Sequence, residues 1–284
     1  MTDGTDLSLD NVAYLSRSEN RVAILEALTE SIPAPGRSRT GYAPRELKEM
    51  TGASEATVSR IVSEFEARGW CRRTIEGEYV ATPKGKLVAT EFDPFITAVE
   101  TIDQLGDAAG LLPIPELTIG LKHFRDATIR RPMGFDPNEF GFYMNELMEK
   151  SSIYYYLTYV APPQSMAETM SELIVSGQLD SVGVLAGSVV DYTSEHLISP
   201  GDLDHERQHL WTDEPGNTWY RFEGHLPCNL FIFDDLVVIE NSQVEDIEPG
   251  TVIQSGNEAV WDWAMGVFEK YKDASERVER ETFR

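Results

Sequence analysis

The sequence predicts a mixed α+β / α/β protein, with an N-terminal winged helix-turn-helix followed by an α/β C-terminal domain. Three helical patterns and a short β-prone hairpin follow one another early in the chain. Later segments alternate between helical patterns and short apolar runs, which favours an α/β layer structure. Charge also divides the chain: residues 1–90 carry net charge −1, and residues 91–284 carry −23. We therefore expect a domain over 1–92, a linker helix over 93–112 and a second domain over 113–284.

The composition is that of a soluble globular protein, at 284 residues with 41% hydrophobic and 25% charged side chains. The best apolar run, "VGVLAGSVV", is shorter than the roughly 18 residues of a membrane span, and the acidic start "MTDGTDLSLD" does not resemble a secretory signal. Two widely separated cysteines, Cys71 and Cys228, fit a reducing interior. These features predict a cytoplasmic protein with no membrane partner.

The acid excess is unusual, with 48 Asp and Glu against 24 Lys and Arg, of which 17 are Arg and 7 are Lys. Such a composition resembles the proteins of salt-loving archaea, whose carboxylate surfaces stay hydrated in concentrated salt. The alternative is an acidic face that binds a basic partner. Because nearly all of the excess lies after residue 90, it leaves the N-terminal region close to neutral.

The first two helices are read from caps and apolar spacing. Ser18 can cap a helix in which Val22, Leu25 and Leu28 share one face. A Pro- and Gly-containing loop, "PAPGRSRTGYAP", follows and is longer than a compact helix-turn-helix needs; its arginines are either phosphate contacts or part of a solvated insertion. "PRELKEMTG" then predicts a short second helix that Gly52 ends.

The third helix, within "GASEATVSRIVSEFEARGW", has two distinct faces. Ser54 is its predicted N-cap and Gly69 its end. Apolar residues at i, i+3, i+4 and i+7 predict the buried face, formed by Val58, Ile61, Val62 and Phe65. The opposite face carries small and weakly polar residues, namely Ala56, Ser59, Arg60, Ser63 and Ala67. Nothing bulky on this face would hold the helix away from a base edge.

A wing and a long helix complete the N-terminal pattern. "WCRRTIEGEYVATPKG" predicts two short strands around a Glu76-Gly77 turn. Thr82-Pro83 then starts a helix that we expect to kink at Asp93-Pro94. Its apolar stripe predicts packing on a partner and consists of Leu87, Val88, Phe92, Phe95, Ile96 and Val99.

The second region predicts a mostly parallel sheet. Helices around "NEFGFYMNELMEK" and "QSMAETMSELIVSG" precede the strands "SIYYYLTYVAP" and "LDSVGVLAG". Polar helical material is expected from Asp202 to Trp211, followed by the strands "TWYRFEG", "NLFIFDD" and "LVVIENS". We expect the Asp234-Asp235 hairpin to form an antiparallel edge. A long C-terminal helix, "NEAVWDWAMGVFEKYKDASERVERE", closes the pattern.

The order helix, helix, helix, hairpin, helix predicts a double-stranded DNA partner, since the third helix of a winged helix-turn-helix fits the major groove. Residues 37–86 hold 10 basic and 7 acidic side chains, so the basic bias coincides with the motif. The alternative is a winged-helix module that makes only protein contacts. The predicted DNA contacts are Arg45, Lys48, Ala56, Thr57, Ser59, Arg60, Ser63, Arg72, Arg73 and Lys84.

Two family resemblances follow from these segments. "SENRVAILEALTE", "ATVSRIVSEFEARGW" and "YVATPKGKLVATEF" resemble the DNA-binding half of archaeal winged-helix regulators related to the arsenical-resistance-repressor class. "HLPCNLFIFDDLVVIE" and "AVWDWAMGVFEKYKD" resemble the middle domain of the archaeal methanogenesis regulatory protein family. Together these resemblances imply an archaeal transcriptional regulator that binds DNA as a homodimer, and the acid-rich composition adds the expectation of a haloarchaeal host. They also imply a C-terminal α/β domain of sensor type that responds to a small-molecule effector or mediates assembly.

A rival metal site is present in "HERQH", His205 to His209, which matches the H-E-x-x-H motif of zinc proteases. The flanks are polar, and the offsets of the extended motif hold Thr212 and Pro215 instead of Gly and His. The alternatives are a surface helix that happens to carry two histidines, or a metal-responsive protein with Glu223 or His225 as a further ligand. We expect no metal here.

No other motif indicates an enzyme. The sequence contains no G-x-G-x-x-G and no Walker loop, so we expect no cofactor and no catalytic residue. "GVLAGS" is expected to serve packing rather than anion binding, and the aromatic run "YYYLTY" to serve the core. Trp211, Trp219 and Tyr220 near His225 are candidates for an effector pocket.

Overall fold

The computed structural model describes residues 4–29, 41–132, 138–196 and 216–279. The chain divides into two compact units, Met1–Ile96 and Thr97–Arg284. Two sequence expectations lie outside the described residues: the phosphate contacts of the loop that holds Arg37 and Arg39, and the helix from Asp202 to Trp211. No helix in the described ranges is both long and apolar enough to cross a bilayer.

The first unit is a winged helix-turn-helix with one additional helix at its start. Its elements are α1 (Gly4–Ser16), α2 (Glu19–Thr29), α3 (Pro44–Thr51), α4 (Glu55–Ala67), β1 (Cys71–Arg73), β2 (Tyr79–Ala81) and the first part of α5 (Pro83–Leu105), whose residues from Thr97 onward belong to the second unit. The three predicted helices and the hairpin are confirmed. Helix α5 runs through Pro94 without a break in its helical assignment. Helix α1 was not predicted from the sequence.

Local signals explain why these elements begin and end where they do. Pro44 occupies the first turn of α3, and Gly52 ends that helix with φ 70°, a left-handed conformation that costs glycine little. The Ser54 side chain accepts a hydrogen bond from the Thr57 amide at 3.2 Å, as expected of an N-cap. The predicted inner face of α4 is fully buried, with Val58, Ile61, Val62 and Phe65 each at 0% exposure.

The second unit contains the remaining elements. They are β3 (Thr128–Arg130), α6 (Glu139–Glu149), β4 (Ile153–Thr158), α7 (Gln164–Val175), β5 (Asp180–Ala186), α8 (Gly187–His196), β6 (Asn217–Phe222), β7 (Asn229–Ile232), β8 (Val237–Glu240), β9 (Val252–Ser255), α9 (Glu258–Asp273) and β10 (Glu276–Arg277). Every strand predicted from an apolar run is confirmed. Helix α8 and the short strands β3, β9 and β10 were not predicted from the sequence.

The described strands of this unit form one mixed sheet in the order β10-β6-β5-β4-β7-β8-β9-β3. Only the β4–β5 and β5–β6 pairs are parallel, and the other five pairs are antiparallel. The predicted mostly parallel sheet is therefore wrong. The Asp234-Asp235 hairpin joins β7 to β8, but it lies inside the sheet instead of at an edge, because β7 also pairs with β4 and β8 also pairs with β9.

Helices cover both faces of this sheet. On one face, the Tyr143 hydroxyl of α6 donates a hydrogen bond to Gln254, and Met170 of α7 contacts Ser181 of β5. On the other face, Phe268 of α9 stacks on Tyr155 of β4 with ring centroids 5.5 Å apart. A helix–sheet–helix layering of this kind buries both sides of the central strands.

Candidate nucleic-acid interface

Helix α4 presents the face that the sequence predicts. Ala56, Ser59, Arg60, Ser63 and Ala67 are exposed, opposite the buried apolar residues. The Ser63 hydroxyl donates to the Ser59 carbonyl at 2.9 Å, and the Thr57 and Ser54 hydroxyls share a hydrogen bond at 2.8 Å. This face is therefore shallow, with hydroxyls bonded to their own helix and one guanidinium as its only cation.

Arg60 is held by an acidic neighbour on the same helix. Its guanidinium lies 3.2 Å from the Glu64 carboxylate, one turn along α4. Both side chains remain solvent-accessible, Arg60 at 55% and Glu64 at 33%, so the ion pair is weak enough to open. A phosphate or base edge can compete with Glu64 for this guanidinium.

Glu64 is itself held by a cluster around Tyr14 of α1. The Tyr14 hydroxyl donates to Glu64, and this bond is the main reason that the pKa of Glu64 falls below its usual value. Two guanidiniums cover the faces of the tyrosine ring, Arg21 at 3.9 Å and Arg68 at 3.8 Å from its centroid. The cluster connects α1 and α2 to α4.

The wing carries two of the predicted cationic contacts, Arg72 and Arg73. Arg72 is exposed, with no side-chain partner within the described part of the chain. Arg73 donates to the Gly77 carbonyl at 3.5 Å, at the limit of a hydrogen bond. Between the strands, Gly77 adopts φ 86°, and Ile75 stands fully exposed at the tip. Ile75 was not predicted as a site residue, because one apolar residue in a turn shows no periodicity.

The remaining predicted cations differ in their freedom. Arg45 pairs with Glu49 at 3.2 Å on the surface of α3, and Lys48 is exposed on the same helix. Lys84 donates to the Arg68 carbonyl at 3.0 Å, at the C-terminal end of α4. Cationic side chains stabilise this end of a helix. Lys84 thus has a structural contact that the sequence did not predict, while Lys86 beside it is exposed.

The apolar stripe predicted on α5 is only partly buried. Phe92 is buried within the first unit, while Val88 and Ile96 pack against its core. Leu87 and Phe95 are 66% and 54% exposed, and Val99 is 40% exposed. Leu87, Phe95 and Val99 thus remain exposed within the described residues, although the Phe95 ring lies 6.4 Å from the ring of Phe92.

The structure describes only some of the residues proposed for a metal site or an effector pocket. "HERQH" and Trp211 lie outside the described residues, and no group of three potential metal ligands occurs among the residues that are described. Trp219 does line a cavity in the second unit, whereas Tyr220 and His225 do not. The packing role of Gly183 is confirmed, since a Cβ atom there would lie 2.3 Å from the Tyr156 ring. Tyr154 and Tyr156 are buried in the core, as expected.

One family matches the chain over this region. The HVO_A0261 N-terminal domain family matches residues 9–104, which include the last eight residues of α1 and the winged helix-turn-helix with all of α5 except Leu105. No curated protein matches the sequence. This match covers the N-terminal segments that carry the resemblance to archaeal winged-helix regulators.

Three solved structures show distant similarity. TrmBL2, described as an archaeal chromatin protein with a novel mode of DNA binding, is 11% identical over 95% of this chain and 99% of its own, at a TM-score of 0.38. NucT from Helicobacter pylori is 7% identical over 54% and 99%, at 0.40. Nuc, a phospholipase D family member from Salmonella typhimurium, is 8% identical over 54% and 99%, at 0.35. At these TM-scores the similarities transfer no function to this chain.

Proposed function

We propose that this protein is a DNA-binding transcriptional regulator of a salt-loving archaeon. The observation that carries the proposal is the exposed face of α4 with its small side chains. This face lies beside a wing on which Arg72 has no side-chain partner among the described residues. In this role α4 enters the major groove, where Arg60, Ser59 and Ser63 reach base edges or phosphates. The two wing arginines contact the phosphate backbone.

The charge distribution favours DNA binding by the first unit, but charge supplies the smaller part of the affinity. Residues 1–90 are close to neutral, while residues 91–284 hold 35 acidic against 12 basic side chains. In molar salt the Debye length is about 3 Å, so distant carboxylates repel DNA little. The same salt weakens the release of counterions that usually drives DNA binding. Shape fit and hydrogen bonds on α4 then contribute more of the affinity than charge does.

A homodimer fits the exposed apolar side chains of α5, Leu87 and Phe95. Two α4 helices in such a dimer would read two half-sites related by symmetry. Within this proposal the second unit modulates the DNA-binding heads, through an effector or through its own packing.

Chromatin immunoprecipitation with sequencing tests both sequence-specific DNA binding and the homodimer. It uses the full-length tagged chain in its native host. We expect enrichment at promoters, with an inverted repeat whose half-sites lie about one helical turn apart. Uniform coverage of the genome would remove sequence-specific binding from the proposal. Enrichment of a single, unrepeated half-site would remove the homodimer.

Fluorescence anisotropy on the enriched site then assigns the residues. We expect Arg60→Ala to weaken binding to that site by about 1–3 kcal/mol and to relax the preference at one position. The double variant Arg72→Ala/Arg73→Ala should weaken binding to the site and to a scrambled duplex by the same factor, because phosphates carry no sequence.

Arg125→Ala is the matched control, since it removes one exposed guanidinium from the second unit. It should bind both duplexes as the wild type does. Full affinity and sequence preference in Arg60→Ala would contradict α4 as the reading helix. A loss confined to the enriched site in the wing variant would contradict the phosphate role.

A further inference from the structure

The second unit contains a cavity of about 530 Å³ between the sheet and the helices α6 and α7. Small-molecule sites in proteins are clefts of roughly this size, about 300–1,000 Å³, with mostly apolar walls. Six aromatic side chains form one wall of the cavity, namely Phe140, Tyr143, Tyr154, Tyr156, Trp219 and Phe231. The cavity thus has the volume and lining of a ligand site.

Strand register builds the aromatic wall. Trp219, Gly183, Tyr156 and Phe231 are successive partners across β6, β5, β4 and β7, so their side-chain positions lie in one row. A Cβ atom on Gly183 would overlap the Tyr156 ring, so glycine makes room for that ring against the sheet. Tyr154 stacks on Tyr156 with centroids 4.8 Å apart. The rings are therefore fixed by the central strands of the unit.

A buried carboxylate, Glu240, also lines this cavity and is only 8% exposed. Its cross-strand partner is Asn229, the first residue of β7. The Asn229 side-chain oxygen accepts hydrogen bonds from the Thr158 hydroxyl at 2.9 Å and the Tyr159 amide at 3.0 Å. Those two bonds turn the NH₂ group of Asn229 toward Glu240, where it donates to the carboxylate.

Glu240 lacks a cationic partner within the described residues. Burial raises its pKa, and the neutral donor from Asn229 offsets only part of that effect. Arg130, the described cation of the lining, is engaged elsewhere: it lies 3.7 Å from Glu139 and 4.5 Å over the Tyr143 ring. An exposed carboxylate, Glu248, adds further negative charge to the lining. The cavity is thus both aromatic and acidic.

We propose that this cavity binds an organic cation, with its amine or ammonium group at Glu240 and its apolar body against the aromatic wall. A buried carboxylate gains most from a cation that arrives with its own hydrogen-bond donors. Ring faces also attract cations that approach within about 6 Å of their centroids. An anion of the same size would meet an uncompensated carboxylate and is excluded.

This cavity would serve as the effector site of the regulator proposed above, but its ligand binding stands on the cavity alone and is measured without DNA. A failure to bind DNA therefore leaves the ligand test intact, and a failure to bind the ligand leaves the DNA test intact.

Isothermal titration calorimetry of the full-length protein against three indole compounds of matched size tests the charge preference. Tryptamine is cationic, tryptophol is neutral and indole-3-propionate is anionic at pH 7. We expect tryptamine to bind at least tenfold more tightly than tryptophol, and indole-3-propionate to show no binding. This comparison uses the wild type only, so it does not depend on a variant that folds.

The variant Glu240→Gln then tests whether the Glu240 carboxylate binds the ammonium group. The variant keeps an acceptor for Asn229 and loses the charge, so tryptamine affinity should fall at least tenfold while tryptophol affinity stays within twofold. Glu245→Gln removes an exposed carboxylate outside the lining and should bind as the wild type does. Equal affinity for tryptamine and tryptophol, identical behaviour of the two variants, or no binding of any compound would each overturn the proposal.

Discussion

Tyr14 connects three helices of the first unit through its ring and its hydroxyl group. The ring lies between the guanidiniums of Arg21 and Arg68, and it meets Trp70 and Phe65 edge-on with centroids 6.0 Å and 6.2 Å apart. The hydroxyl donates to Glu64, and burial raises the pKa of Tyr14 to about 12, so it stays a donor at neutral pH. One side chain thus fixes the acid that holds Arg60.

The substitution Tyr14→Phe distinguishes the contribution of the hydroxyl group to stability from that of the ring. The variant retains both ring–cation contacts and loses only the bond to Glu64, so we expect a loss of about 1 kcal/mol in unfolding free energy at pH 7. Urea denaturation of the wild type and the variant, followed by circular dichroism, measures this difference.

The difference should depend on pH in a defined direction. The pKa of Glu64 in the folded state lies below its ordinary value of 4.5, with the Tyr14 bond as the largest cause. Stability from this bond is therefore complete above about pH 4.5 and is lost as pH falls through the folded-state pKa. A wild-type to variant difference that stays constant from pH 7 to pH 3 would contradict this account.

At the scale of the element, the sequence predicts a helix when its own caps and its own apolar spacing define it. Ser54, Gly52 and the i, i+3, i+4, i+7 spacing define α4 from its own residues, and the structure confirms that helix and its exposed face. Helix α1 was missed because it depends on distant partners: Leu15 is buried in the core, and Tyr14 contacts residues some 50 positions away.

In the sheet and the cavity, too, the features set by neighbouring residues were predictable and those set by distant contacts were not. Individual strands were predictable from their apolar runs, but strand order was not, since the β7–β8 hairpin reads the same at an edge or at the centre. Asn229 and Glu240 stand at the start of β7 and the end of β8, where they read as ordinary polar strand ends. Only the pairing of the strands brings the two residues together in a cavity.

Helix α5 depends on one glycine near its start. A Cβ atom on Gly85 would lie 1.9 Å from the Trp70 carbonyl oxygen, a backbone atom that cannot rotate away. We expect Gly85→Ala to destabilise the protein by at least about 1–3 kcal/mol, because the start of α5 must shift away from the wing. Thermal and urea denaturation of the full chain measure the change.

Gly266→Ala is the matched control for Gly85→Ala. Gly266 lies inside α9, and a Cβ atom there would meet nothing within 4 Å. Alanine is the better helix former, so this variant should gain about 0.5–1 kcal/mol. Equal effects of the two substitutions would show that the close approach to Trp70 does not govern α5.

At the scale of the whole molecule, the uneven charge predicts a requirement for salt. Residues 91–284 carry net charge −23, and such self-repulsion disfavours a compact state unless ions screen it. We expect the unfolding midpoint to rise steadily as KCl increases from about 0.1 M to above 1 M, over which the Debye length falls from about 10 Å to 3 Å.

Differential scanning calorimetry across this KCl series measures the midpoint, and a parallel series in sucrose controls for general exclusion of solutes from the protein surface. A midpoint that does not change with KCl, or that rises equally in sucrose, would contradict a charge-based salt requirement.

The short outer strands of the second unit acquire a role under these conditions. In molar salt, repulsion between neighbouring molecules fades within a few ångströms, so net charge no longer keeps them apart in a crowded cell. Exposed strand edges are where such molecules would join into aggregates. The sheet ends in β10, two exposed charged residues long, and in β3, three residues long. Edge strands this short expose few backbone groups to which another chain could bind. They therefore limit aggregation at salt concentrations where charge repulsion does not.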